Sequence, residues 1–370
     1  MSRVLITGGA GFIGSHLADH LLAHGYEVRA LDDINPQVHE GGEPPGYLDD
    51  QVELIRGDVR DKDTITAALE GVESVVHLAA RVGVGQSMYE IAEYVDVNTT
   101  GTAVLLEALL DHPPKRLVVA SSMSIYGEGL YETADGAPAA AVERTRAQLE
   151  RAEWEPVSPD GRRLRPVPTP EIKAPSLSSV YALSKFDQER LCLLFGSAYD
   201  IPTVALRFFN VYGTRQALSN PYTGVLAIFA ARLLNDRRPL IFEDGDQRRD
   251  FVSVSDVATA CRLALEKTQV TGIALNVGSG DSVSVREIAE KLAKVLGKEH
   301  IEPEVTGKYR VGDIRHCFAD VSLAEQLLGF RPSVALEDGM AELARWLEGQ
   351  VATDRVDAAA AELAARGLTI

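Results

Sequence analysis

Apolar runs of strand length alternate with stretches of helical periodicity from residue 3 to about residue 125. Residues 3–7 form the first run, and residues 15–22 place leucine and alanine at helical spacing. Further runs fall at 27–31, 52–55, 74–80 and 116–120, with a helix predicted over 97–110. This rhythm calls for an α/β fold, a parallel sheet with helices on both faces. It breaks over 128–176, which reads as an insertion in a loop approaching the functional site. There, 139–153 is rich in Ala, Glu and Arg and predicts a short helix; 156–175 is rich in Pro and Arg and predicts an extended loop. Beyond the insertion, the pattern predicts helices over 181–199, 284–296 and 336–346 and a strand over 203–207. The alanine-rich tail, 352–370, predicts a peripheral helix with no chemistry of its own.

The first strand and helix are joined by Gly8-Gly9-Ala10-Gly11-Phe12-Ile13-Gly14. Strand, glycine turn and helix in that order form the dinucleotide fingerprint of a Rossmann-type, doubly wound sheet. Gly8 permits the tight turn, Gly11 the approach of a pyrophosphate, and Gly14 close helix–strand packing. The pyrophosphate is expected on the helix N-terminus, beside Phe12 and Ile13. The second strand ends in Asp32-Asp33, placed to meet the adenosine ribose hydroxyls and to repel a 2′-phosphate, so NAD is expected rather than NADP. Asp32 is the first choice and Asp33 the second. Asp58, followed by Val59, is placed for the adenine, and Leu78-Ala79-Ala80 forms a small-residue turn after the fourth strand.

At 370 residues the chain exceeds the ~250–300 residues usual for a single core, so a large and a small lobe are expected. The net charge of −17, spread along the chain, argues against nucleic acid as a partner. Cys192, Cys261 and Cys317 are isolated thiols that suit a reducing compartment. With neither a leader pattern nor a membrane-length apolar run, a soluble cytoplasmic protein is expected.

Tyr181 and Lys185 lie one helical turn apart on one face. A phenol ionises near pH ~10, and a neighbouring cation lowers that value, which makes a general base of a tyrosine.

Together these residues resemble the extended short-chain dehydrogenases/reductases, in the nucleotide-sugar epimerase and dehydratase group. The Gly8-x-x-Gly11-x-x-Gly14 spacing, Asp58-Val59, His77 to Ala80, Asn98, Ser122, Tyr181, Lys185, Arg207 to Gly213, Arg249 to Val252 and Arg310 to Arg315 all match, over residues 1 to about 347. The resemblance implies an NAD-binding domain over 1–207 including the insertion, a smaller substrate-binding lobe mainly over 208–350 with some return to the main sheet, and the tail 351–370. It implies Ser122, Tyr181 and Lys185 as catalytic groups, and Asn98 among the cofactor contacts. Lys185 would hydrogen-bond the nicotinamide ribose and hold the Tyr181 pKa low. The substrate, a nucleotide-diphosphate sugar, would meet Val82, Ser122, Met123, Ser124, Asn210, Val225, Phe242, Arg249, Arg310 and Asp313, with Arg315 a third arginine near the diphosphate. The segment 220–225 would line the base pocket. Helices 97–110 and 181–199 would pair with their copies as a homodimer. His77 reads as structural.

Within that group, the 4,6-dehydratases place an Asp-Glu pair after the catalytic hydroxyl, and this chain has Met123 and Ser124. A 3,5-epimerase places cysteine at the position of Ser124. A 4-epimerase needs Ser122, Tyr181, Lys185 and NAD alone, and that is the expectation; a dehydratase or decarboxylase, or a regulatory NAD-binding protein, is the alternative. The segment 154–161 resembles the dTDP-L-rhamnose 4-epimerase branch, but where members often carry Cys-x-x-Cys this chain has Ser158 and Gly161, so no metal is expected. UDP-glucose, UDP-glucuronate and N-acetylated sugars remain open as substrates.

Overall fold

The computed structural model describes residues 2–139, 143–222, 224–310, 312–350 and 352–369. Seven parallel strands form the central sheet: β1 (Arg3–Thr7), β2 (Glu27–Asp32), β3 (Glu53–Arg56), β4 (Ser74–His77), β5 (Arg116–Ser122), β6 (Thr203–Phe208) and β7 (Ile273–Val277). Their order is β7-β6-β5-β4-β1-β2-β3, the doubly wound arrangement. Strand β5 is buried at all seven positions, as a central parallel strand covered on both faces must be.

One face is covered by α1 (Phe12–Ala23), α6 (Val254–Glu266) and α8 (Ser322–Leu328), through Leu17, Leu21, Val257, Ala324 and their neighbours. The other is covered by α2 (Lys62–Leu69), α3 (Gly101–Asp111) and α4 (Val180–Ala198), through Ile65, Leu105, Cys192 and Phe195. A separate core joins α5 (Val225–Leu234), α7 (Val285–Val295) and α9 (Leu336–Leu347) around Phe229, Ile288 and Leu343. The last helix is α10 (Val356–Ala365).

Two stretches depart from expectation. The helix predicted over 97–110 begins earlier: Val95–Thr100 is a π-helical turn running into α3, and it rotates Asn98 into the interior. In the insertion, Pro138–Ala139 and Arg165–Val167 flank Leu130–Glu132 as a three-stranded antiparallel sheet, and helix is confined to Arg146–Glu150. Residues 140–142 of the predicted helix lie outside the described residues, as do Thr223 and Val311. The helix starts late because Thr145 caps it and Arg144, just before, is drawn into a buried ion cluster.

Candidate active site

A cleft of about 330 Å³ opens at the carboxyl ends of the strands, where the order reverses between β1 and β4. Gly8, Gly11, Phe12, Ile13, Asp32, Asp33, Asp58, Val59, Leu78, Ala79 and Ala80 all line it, with Val82, Ser122, Tyr181 and Lys185. Gly14 is required for space and Gly8 for its backbone conformation. A Cβ on Gly14 would stand 2.2 Å from the Gly8 carbonyl oxygen, and Gly8 has φ +70°. Helix α1 starts on Gly11 without a side-chain cap and has no acid in its first turn. Its N-terminus therefore offers backbone N–H groups and a positive dipole end to an anion, which fits a pyrophosphate.

Asp32 is held from behind: Ala10 N donates to Oδ2 at 3.0 Å and Ile34 N to Oδ1 at 2.9 Å. Asp33 is more exposed, and burial together with the charge of Asp32 raises its pKa. The Arg60 guanidinium, 2.6 Å away, holds the Asp58 carboxyl below the ordinary carboxylate range.

Tyr181 and Lys185 enter from the first turns of α4, whose N-terminus Ser179 caps by accepting from Ala182 N at 3.1 Å. Ser122 ends β5. Its Oγ accepts from Ser124 N at 3.1 Å, so it caps the turn Met123–Tyr126 and faces the cleft at once. Met123 and Ser124 are buried in that turn, with Ser124 Oγ 2.9 Å from Ser122 Oγ. The electrostatics differ from expectation. Burial raises the Tyr181 pKa, opposed by the Ser122 hydroxyl, while burial lowers the Lys185 ammonium to about 8. Lys185 Nζ donates to Gln188 Oε1 at 2.7 Å, so in this state its charge is tied to an amide and the phenol stays neutral.

Gln188 is a residue that motif reading missed, although Tyr181, Lys185 and Gln188 follow i, i+4, i+7 spacing on one helix face. Its Nε2 donates to Thr102 Oγ1 at 2.9 Å and lies 3.1 Å from His77 Nε2. His77 Nδ1 is 2.7 Å from Thr7 Oγ1, and its full burial takes its pKa to about 3. His77 is thus a neutral core residue. Asn98 does not reach the cleft: its Oδ1 accepts from Arg81 N at 2.7 Å and its Nδ2 donates to Ser184 Oγ at 2.9 Å. Fully buried, it ties the turn after β4 to α4.

Of the remaining expected substrate residues, Phe242, Arg249, Arg310 and Asp313 form a cluster of their own. Asp313 lies 3.5 Å from Arg249 and 3.1 Å from Arg310, and the Arg310 guanidinium stacks 4.6 Å above the Phe242 ring. Arg249 also donates to the carbonyls of Arg248, Ile314 and Arg315. Asn210 Oδ1 and Arg310 Nε are buried without a hydrogen-bond partner among the described residues. Val225 opens α5.

Arg315 is not part of that set, which corrects the expectation. It is 1% exposed and is held by Glu155 (2.5 Å), Asp244 (2.6 Å) and Glu243 (3.0 Å). Arg144 of the insertion shares Glu243 at 2.7 Å. Three carboxylates saturate the guanidinium, leaving no donor for a phosphate. In the segment 158–162, Ser158 N donates to Arg162 O at 3.0 Å, Arg162 N donates to Ser158 Oγ at 3.0 Å, and Arg162 Nε pairs with Asp160 at 2.7 Å, which closes a turn.

Fold and cleft together define a dinucleotide-binding protein of the short-chain type, with a tyrosine–lysine–serine centre. The chain matches the NAD dependent epimerase/dehydratase family over residues 4–148 and 157–278, and it belongs to that family. It is 36% identical over 350 residues to the dTDP-L-rhamnose 4-epimerase of Burkholderia thailandensis, covering 93% of this chain and 94% of that one. The structure of UDP-glucose 4-epimerase from Thermotoga maritima with UDP-glucose superposes with a TM-score of 0.77 at 29% identity, covering 94% of this chain and 98% of that one. That of UDP-glucuronic acid 4-epimerase from Bacillus cereus with UDP-glucuronic acid and NAD gives 0.74 at 30% identity, with coverage of 94% and 99%. No helix among the described residues is long and apolar enough to cross a membrane.

Proposed function

We propose that the chain is an NAD-dependent nucleotide-sugar 4-epimerase acting on a dTDP- or UDP-hexose. The observation that carries this reading is the centre itself. Ser122, Tyr181 and Lys185 line one cleft, and Met123 and Ser124 beside Ser122 supply no acid–base pair for dehydration. NAD supplies the hydride acceptor for oxidation and the donor for re-reduction. Tyr181 takes the proton from the sugar C4 hydroxyl, directly or through Ser122, and returns it after the keto-sugar has turned over. Lys185 would hold the nicotinamide ribose, and its ammonium, turned to that site, would favour the phenolate that burial alone disfavours. Residues 1–207 hold the cofactor, and 208–350 hold the nucleotide, with Arg249 and Arg310 on the diphosphate and Phe242 near the base.

The Burkholderia relative favours dTDP-L-rhamnose, and the two structural relatives favour UDP-glucose or UDP-glucuronate. A homodimer through α3 and α4 is supported by Leu110, Leu183 and Leu194, which are 47%, 44% and 58% exposed on those helices. Proton NMR of the purified protein, without added NAD, against a panel of dTDP- and UDP-sugars tests the function. Inversion of the C4 couplings in one of them is expected. Release of carbon dioxide or loss of the C6 oxygen would replace epimerisation with decarboxylation or dehydration.

A further inference from the structure

The C-terminal segment is not peripheral. It is anchored where it begins: Asn235 Nδ2 donates to Ala352 O at 2.8 Å, Thr353 N to Ser219 Oγ at 3.1 Å, and Arg232 pairs with Asp357 at 2.6 Å. Helix α10 then crosses to the short helix Val84–Ser87 that follows Val82. Leu363 packs into the space left by Gly85, where a Cβ would stand 3.2 Å from its Cδ2. The Arg366 guanidinium lies 4.3 Å from the Tyr89 ring centroid, and Tyr89 Oη is 2.6 Å from Tyr222 Oη in the segment expected to line the base pocket. Finally Thr369 pairs with Arg310 in an antiparallel bridge. Residues facing each other across such a bridge project their side chains to the same side. Thr369 Oγ1, Arg310 Nε and the Tyr309 hydroxyl are all buried, and none has a hydrogen-bond partner among the described residues. Buried polar groups of this kind are costly unless something completes them.

We propose that residues 352–369 form the outer wall of the nucleotide-sugar pocket, with Leu363 and Arg366 as positioning residues for the segment 83–89 and Thr369 as a hydroxyl ligand beside Arg310 at the diphosphate end. The proposal rests on the nucleotide-sugar reading above. It makes the tail, which bears no catalytic group, a determinant of substrate affinity.

The test uses full-length Leu363→Ala, Arg366→Ala and Thr369→Val, with Leu363→Met as the conservative rescue. For each of the three, KM for the nucleotide sugar should rise ~5-fold or more while kcat stays within ~2-fold, because the wall acts on binding and not on the reacting carbon. Leu363→Met should return KM towards the parent value. In parallel, hydrogen exchange of the amides of 353–369 should slow when the parent is saturated with UDP or dTDP. KM within ~2-fold of the parent in all three variants would overturn the proposal whatever their melting temperatures, as would unchanged exchange with a nucleotide bound. Should Leu363→Ala fold poorly, Arg366→Ala and Thr369→Val still decide it. A parent that binds neither UDP nor dTDP would refute the nucleotide reading itself, and the wall proposal with it.

Discussion

Replacing Arg315 with methionine separates two roles that an arginine in this stretch could have. As a phosphate ligand it would affect affinity and leave the fold alone. Its contacts assign it to the fold: it is 1% exposed and donates to Glu155, Glu243 and Asp244. Removing one partner of a buried ion pair costs ~3–5 kcal/mol, because the charge left behind is desolvated and unpaired. Here two of the three carboxylates recover water, since the side chains of Glu155 and Asp244 are 53% and 35% exposed, and Glu243 keeps Arg144 at 2.7 Å. The lower end, ~3 kcal/mol, is therefore expected. Glu155→Gln, which removes a half-exposed partner, should cost ~1 kcal/mol. Urea unfolding followed by circular dichroism measures both, with equal slopes as the check that only stability has changed. A loss below ~1 kcal/mol in Arg315→Met, accompanied by a selective fall in UDP or dTDP affinity, would refute this assignment and restore Arg315 to the diphosphate site.

Three further outcomes follow from the cleft. Tyr181→Phe should keep its bound NAD and its melting temperature while turnover falls ~10²–10⁴-fold in the NMR assay; retained turnover would remove Tyr181 from the chemistry. In Gly14→Ala the new Cβ meets the Gly8 carbonyl at 2.2 Å, so the protein should purify without its dinucleotide, as read by absorbance of the denatured supernatant. His77 is held neutral, with its pKa near 3 against ~6.5 in the unfolded chain, so below pH ~6.5 the unfolded state takes up a proton that the native state refuses. Stability should fall by up to ~1.4 kcal/mol per pH unit between pH ~6.5 and ~3, and the urea midpoint of His77→Gln should fall less steeply over the same range.

What could be read from the sequence was what is local in it. The glycine turn, the acids at the end of β2 and the Tyr181–Lys185 face are short-range spacings, and the backbone carries such spacings into space unchanged. Side chains that meet across the fold left no such trace. Nothing near Glu155 indicates that it meets Arg315, because the two are joined only when the insertion folds back onto the C-terminal lobe. The predicted helix over 139–153 is cut down to Arg146–Glu150 for the same reason. Its composition favours helix, but Arg144 is pulled towards Glu243 and Pro138–Ala139 pairs with Leu130–Glu132. The tail read as idle because Thr369 is a lone residue whose neighbour, Arg310, is far away in the chain. Likewise the expected influence of Lys185 on Tyr181 came from spacing and from the resemblance, neither of which shows that Gln188 takes the ammonium.

Gln188 also has a mechanical consequence. From Lys185 the contacts pass through Gln188 and His77 to Thr7, whose hydroxyl also accepts from Ala79 N at 3.2 Å, and Thr7 is the last residue before the glycine turn. The turn expected to seat the pyrophosphate and the Lys185 ammonium are therefore the two ends of one chain of buried side-chain contacts, a spar between helix α4 and β1. A change that widens the seat for a bulkier dinucleotide would be transmitted to the reacting end. Cofactor preference and turnover would then vary together under mutation, and attempts to retarget the first without damaging the second should succeed at Asp33, which stands outside the spar, before they succeed at Thr7.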